Sequence, residues 1–333
     1  MEIDRPPSGM RDRARAWLVT VVLTLLQAAL RPFGWGAAQR AGRWVGTAIW
    51  LYSRRDRQRA LEHLAMAFPN LAAAERRQLA RACFRHHGIN LTECLHLLDH
   101  DCAYIASLIE VEGWQEIDKV RAAGRPLLLV TGHCGNWELL GAVYSCRGAN
   151  MAVVARPLDE PNLQRTLAGF RAHFGTPTIE RGSVGAVRKL LVTLRGGGAL
   201  GMLIDQDTRV DGVWVPFFGR PAFTPVGAAK FALRRRAAVI PTFIERDESG
   251  RHRIRVLPPL ELPPDLQQAT ALLTLVIEEQ VRRRPEQWVW MHRRWRRQPP
   301  GPAPAHPAPA SASQAAACTA APAAGAPAAG RAR

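Results

Sequence analysis

A histidine and a carboxylate stand five positions apart in the segment Thr131-Gly-His133-Cys-Gly-Asn-Trp-Glu138, directly after the apolar run 126–130. An imidazole titrates near neutrality, so it can take the proton of a hydroxyl as that hydroxyl attacks an ester or thioester. A carboxylate on the donor nitrogen of the ring fixes its tautomer and stabilises the imidazolium that forms. Glu138 is the candidate for that carboxylate. The same spacing also fits a buried histidine in a Gly-rich turn, with a glutamate at a helix start where acidic groups are favoured. Cys134 adds a rival chemistry, a covalent acyl-cysteine, although neighbouring side chains on an extended backbone point apart.

The elements that must position these residues are readable in outline. The run 126–130 is short, apolar and flanked by glycines, which suits a buried strand. The segment 132–136 then reads as the turn into a helix starting near Trp137, placing His133 at a strand's carboxyl end, where open α/β sheets bind ligands. Further strands are predicted at 109–112, 151–155, 199–204, 213–217, 238–244 and 254–257. Helices are predicted near 114–123, 137–146, 160–174, 184–195, 224–236 and 266–284, with helical character throughout 56–100. This alternation predicts an α/β fold with a mixed, largely parallel sheet flanked by helices.

Other strand ends carry polar groups. Arg156 follows the 151–155 strand, Arg181 precedes a helix, and Asp205 and Asp207 follow the 199–204 strand. Individually these are ordinary cap or turn residues; together with His133 they describe a polar rim whose arginines suit phosphate groups on an acceptor.

The chain has 333 residues and a net charge of +17, which favours polyanionic partners. Only three of its 45 basic residues are lysine, Lys119, Lys189 and Lys230. Six cysteines show no CxxC pairing, so neither a disulfide framework nor a zinc ribbon is expected, and a reducing compartment is the default. The histidines and cysteines between Cys83 and Cys102 contain no complete metal-ligand pattern. A nucleic-acid-binding protein is the charge-based alternative, but its basic residues would gather on one face with stacking aromatics.

The N-terminus instead carries a membrane signal. An uncharged segment, 16–30, follows Arg11, Arg13 and Arg15, and a second segment, 33–52, holds Trp35, Trp44, Trp50 and Tyr52 before Arg54 and Arg55. Aromatic rings beside arginines suit a membrane interface. Fifteen residues rise roughly 22 Å as a helix, short of a full span, so the segment either inserts partly or spans with help from its flanks. A signal peptide and two helices packed on the body are the alternatives. Residues 1–55 are thus expected to be N-terminal membrane-anchoring helices and 56–298 the catalytic domain. The Pro/Ala-rich stretch 299–333 lacks the apolar side chains to offset ordering and is expected to be a disordered tail.

TGHCGNWE, the DQD of 205–207 followed by VWVPFFG, the upstream Ala67-Phe-Pro-Asn70 with Glu75-Arg76, and the closing Trp288-Val-Trp-Met-His-Arg-Arg-Trp295 resemble the bacterial late lipid A acyltransferases of the lysophospholipid acyltransferase superfamily. The resemblance covers residues 17–298. It implies a bacterial inner-membrane enzyme, its catalytic domain on the cytoplasmic side, that moves a fatty acyl chain from acyl carrier protein or coenzyme A to a glycolipid hydroxyl. It implies no metal and no cofactor. By this resemblance His133 is the general base and Glu138 its partner. Asn136, Arg156, Arg181, Asp205 and Asp207 are substrate-binding residues, and the partners are acyl carrier protein and an anionic lipid acceptor. A lipid A precursor is the expected acceptor, with a lysophospholipid or mannoside as alternatives. A membrane protein without catalysis is the reading furthest from this.

Overall fold

The computed structural model describes residues 10–300, apart from 157–159, 181–184 and 196. Its centre is a seven-stranded sheet made of β1 (Ile109–Glu112), β2 (Leu127–Thr131), β3 (Met151–Ala155), β4 (Thr178–Glu180), β5 (Ala199–Leu203), β8 (Ala238–Arg246) and β9 (His252–Val256). The order is β1-β9-β8-β2-β5-β3-β4, and every neighbouring pair is parallel except β8 with β9. The α/β class expected from the alternation is therefore what the chain forms. Strand β2 is buried along its whole length, which is why it reads as an unbroken apolar run rather than an alternating one.

Its period of two still divides the interior. Leu128 and Val130 join one core with Leu200, Val239 and the helices α10 (Gly227–Arg235) and α11 (Leu266–Arg283). Leu127 and Leu129 join a second core on the other face, with α6 (Gln115–Ala122), α7 (Trp137–Cys146) and α8 (Pro161–His173). The helix α9 (Ala186–Arg195) lies over β3, β4 and β5 and feeds Leu190 and Leu194 into the first core.

Two strands escaped prediction. β4 is only three residues long, and β7 (Arg220–Pro225) contains two prolines, which demote a strand on sequence grounds. β7 pairs with β6 (Gly212–Phe217) as a separate antiparallel hairpin, so the predicted strand at 213–217 lies outside the main sheet. The turn between them has positive φ at Phe218 and Gly219, the geometry that fits a hairpin's twist.

The N-terminal helices are α1 (Met10–Leu30) and α2 (Trp35–Tyr52), followed by α3 (Arg54–Ala67) and α4 (Ala73–Leu97). α2 lies directly on α4 through three glycines. A Cβ on Gly42 would sit 2.4 Å from the Ile89 backbone, and one on Gly88 would sit 2.2 Å from the Gly42 carbonyl oxygen. One on Gly46 would meet the Phe84 carbonyl oxygen at 2.2 Å. No described helix is both long and apolar enough to cross a membrane. The tail expected to be disordered lies, from residue 301 onward, outside the described residues.

One cysteine pair corrects the sequence reading. Cys102, at the start of α5 (Cys102–Leu108), forms a disulfide with Cys146 at the end of α7, their Cα atoms 5.4 Å apart. The two lie 44 positions apart with no motif around either, so only the fold reveals that they meet.

Candidate active site

Strand register places the catalytic candidates. Thr131 is the register partner of Leu203 in the parallel β2/β5 pair, so stepping two residues beyond each strand brings His133 beside Asp205. His133 Nδ1 stands 2.7 Å from Asp205 Oδ1. A carboxylate only accepts, so Nδ1 carries the proton and Nε2 presents a lone pair. Asp205 Oδ2 accepts from the His133 backbone N–H and from the Trp288 indole N–H, both at 2.7 Å. Burial alone would raise the Asp205 pKa, but His133 and these donors hold it well below the usual carboxylate range. The His133 side chain remains 20% exposed while that of Asp205 is 1% exposed. Nε2 forms no hydrogen bond among the described residues. An ionised, buried carboxylate thus orients an imidazole whose reactive nitrogen is free for substrate.

Glu138 is not brought into contact with His133. Its two oxygens accept from Arg171 Nε and Nη2 of α8 at 2.7 and 2.5 Å, a bidentate fork. The physical reason is the turn. Gly135 has φ +63°, and a Cβ there would lie 1.9 Å from the Ile244 carbonyl oxygen, so the chain reverses tightly and α7 carries Glu138 toward α8. Asn136 caps α7, its Oδ1 accepting the Leu139 N–H at 3.2 Å.

The other predicted positions divide. Arg156 follows β3 and is exposed at the same carboxyl edge of the sheet, one strand beyond β5. Arg181 lies outside the described residues. Asp207 is turned away into the protein: its carboxylate accepts from Arg296 at 3.2 Å and from the Arg297 backbone at 3.0 Å, tying down the C-terminal segment. Its side chain is buried against these arginines. Cys134 is also buried, desolvation pushes its thiol pKa well up, and its backbone bridges to Trp288. A buried, desolvated thiol suits the acyl-cysteine alternative poorly.

Below the turn is a buried polar cluster that sequence reasoning missed. Glu93 of α4 accepts from Arg246 Nε at 2.9 Å and Nη2 at 2.5 Å, and from Gln39 at 2.8 Å. It accepts from Asn136 Nδ2 at 2.9 Å and contacts His252 Nε2 at 3.1 Å. Burial alone would raise the Glu93 pKa, but Arg246 and His252 hold it far below its ordinary value. Arg246 also donates to Asn90 Oδ1 at 2.6 Å, and Asn90 Nδ2 donates to the Gly135 carbonyl at 2.7 Å. The turn after His133 is therefore held through Asn136 and Gly135 by one buried ion pair. Glu93 sits mid-helix and Arg246 at a strand end, 153 positions apart, so no spacing announces the pair.

Two more histidines approach the site. His87 packs against Trp137, whose ring also meets His133 at 5.0 Å between centroids. His87 Nδ1 lies 2.9 Å from the Cys83 carbonyl and so donates to it. Burial lowers His292 to about 4 and likewise lowers His87 to about 4, so both are neutral near pH 7.

A histidine at the carboxyl edge of a parallel sheet, oriented by a buried aspartate, has the arrangement that general-base chemistry on a hydroxyl requires. Comparison with known proteins narrows the class. The family model for bacterial lipid A biosynthesis acyltransferases matches residues 7–297, so the chain belongs to that family and is an acyltransferase. It is 26% identical over 261 residues to the Lipid A biosynthesis palmitoleoyltransferase of Escherichia coli (strain K12), covering 77% of this chain and 84% of that one. It is 26% identical over 267 residues to the Lipid A biosynthesis lauroyltransferase of the same organism, covering 79% and 86%. Phosphatidylinositol mannoside acyltransferase of Mycobacterium tuberculosis (strain CDC 1551 / Oshkosh) is 27% identical over 188 residues, 56% of this chain and 59% of that one.

Proposed function

We propose that this protein transfers a fatty acyl chain from the thioester of acyl carrier protein to a hydroxyl of a lipid A precursor, with His133 as general base. The observation that carries this reading is the His133–Asp205 contact, which fixes the tautomer and leaves Nε2 open. The acceptor hydroxyl gives its proton to Nε2 as its oxygen attacks the thioester carbonyl carbon. The carbon–sulfur bond then breaks, and the departing thiolate takes the proton back from the imidazolium, while Asp205 stays ionised throughout. This reading assigns the orienting role to Asp205 and leaves Glu138 the task of anchoring the helix start to α8. The edge position of Arg156 suits an acceptor phosphate. Relatives named for lipid A acylation over most of their length favour a lipid A precursor over a mannoside, whose acyltransferase matches over a shorter stretch.

The same reading places the protein on the cytoplasmic face of the inner membrane, lying on it rather than spanning it. Large apolar side chains are exposed along α1 and α2, among them Trp17, Leu25, Trp44 (76%) and Tyr52 (85%). Exposed Arg40, Arg43, Arg54 and Arg55 adjoin them. Apolar rings flanked by arginines match an anionic interface. The decisive experiment follows labelled acyl chains from acyl carrier protein to lipid A precursors. His133→Ala should lower turnover by roughly 10² or more with the fold intact. Undiminished transfer by that variant would sink the mechanism.

A further inference from the structure

A groove of about 270 Å³ runs between α9 and α10, with neither His133 nor Asp205 in its lining. Leu190, Leu191 and Phe231 form its apolar lining, and Lys230, Arg234 and Arg235 line it with positive charge. Exposed Arg188 and Lys189 stand on the same helix as the two leucines. Lys230 has only a 3.8 Å approach from Asp211, which is itself 87% exposed, and neither Arg234 nor Arg235 forms an ion pair among the described residues. One basic residue would suffice to complement the end of α10. A row of cations along an apolar trough exceeds that need.

Topology fixes where the groove leads. Ala238 of β8 pairs with Leu127, at the amino end of β2, so α10, which precedes β8, runs from the sheet's carboxyl edge toward its amino edge. The Gly227 end of the groove therefore lies toward the edge that carries His133 and Asp205.

We propose that this groove docks an acidic, amphipathic helix of the acyl carrier protein. The proposal rests on the donor assigned above. The trough offers apolar anchor sites for a helix, and its cations suit carboxylates flanking those anchors. The exposed aromatic residues of α1 and α2 already supply a separate lipid-facing surface, so a bilayer does not need this trough. A carrier helix seated here would direct its flexible thioester arm toward the carboxyl edge and Nε2.

The test uses the full-length enzyme in detergent, wild type against the triple variant Lys230→Glu, Arg234→Glu, Arg235→Glu. Two donors are compared, acyl carrier protein and a small acyl-pantetheine that lacks the carrier, together with direct binding of fluorescent acyl carrier protein and thermal melting. The variant should raise KM for the carrier-borne donor and weaken carrier binding by roughly 10-fold or more, with kcat kept and acyl-pantetheine turnover unchanged. Unchanged carrier binding, or an equal fall with both donors in a variant that melts normally, would overturn the docking site. Loss of binding to anionic vesicles with carrier KM unchanged would assign the groove to lipid and overturn it too. If the variant melts early, the single Arg235→Glu change on the exposed helix end replaces it, with the same outcomes. A wild type that ignores acyl carrier protein yet uses another thioester would refute the donor assignment itself, a result distinct from failure of the groove.

Discussion

Arg171 holds both carboxylate oxygens of Glu138, at 2.7 and 2.5 Å, so the acid that stands five positions after His133 is fully engaged away from it. The two carboxylates of this region therefore have separable tasks. Asp205→Asn should lower kcat by roughly 10² to 10⁴ with little change in melting temperature or KM, because the amide misorients the ring without emptying its site. Glu138→Gln should act first on stability, since a mostly buried guanidinium loses its partner, a change worth about 3–5 kcal/mol when such a pair is broken. Activity and melting curves on both variants check this division. A larger kcat loss for Glu138→Gln than for Asp205→Asn, at unchanged stability, would restore the carboxylate that sequence spacing favoured.

Removing single hydrogen bonds beneath the catalytic turn should affect rate more than binding. Asn90→Ala deletes the donor to the Gly135 carbonyl and should lower kcat by about 10-fold, with KM nearly constant, since His133 loses its placement rather than its chemistry. Glu93→Gln strips a buried charge from Arg246 and should cost about 3–5 kcal/mol of stability. Chemical denaturation read alongside steady-state kinetics distinguishes the two effects.

The stability of the fold should fall on acidification in two stages. His87 and His292 are both lowered to about 4, so between about pH 6.5 and that value the unfolded chain binds more protons than the folded one. Stability rises with pH across that window and falls as acid is added. Asp205 and Glu93 have folded pKa values below their unfolded ones, so their contribution is complete above the ordinary carboxylate range and is lost as pH drops below about 4. Urea midpoints measured from pH 7 to 3 should decline through both windows, and His292→Phe should flatten the upper one.

Replacing exposed rings on α2 should separate docking from folding. Trp44→Ser with Tyr52→Ser removes two largely exposed side chains and should leave the melting temperature unchanged. Affinity for anionic vesicles, read by sedimentation, should drop by roughly 10²-fold or more, because two buried aromatics at about 1.5–3 kcal/mol each contribute about 3 kcal/mol or more together. Equal sedimentation of variant and wild type would place the membrane contact elsewhere.

Much of the fold was legible because parallel strands buried on both faces announce themselves as short apolar runs, as at β2, β3, β5 and β8. His133 was legible for the same reason, being the first titratable group after such a run. The carboxylate it touches is not the one that spacing alone suggests, because distance along the chain is not distance in space. Glu138 is near in the chain, whereas Asp205 is near through strand register, a relationship that appears only once β2 and β5 are known to be neighbours. Asp207 parts from Asp205 for a related reason, since a DxD segment leaving a strand points its two acids to different surroundings. Glu93, Arg246 and Arg171 left no local signal, as each meets its partner across at least 33 positions of chain.

The glycine contact between α2 and α4 sets how the enzyme can be handled. Gln39 of α2 reaches Glu93, and Gly42 and Gly46 bring the α2 backbone against α4 where no side chain fits. The greasiest part of the protein surface is thus built into the wall behind the catalytic turn. A shortened chain that begins after α2, the obvious route to a water-soluble sample, would expose the backbone groove at Gly88 and strip a donor from the buried Glu93. Detergent, nanodiscs or replacement of only the outward rings would keep that wall in place, and purification strategy here is a question of catalysis as much as of solubility.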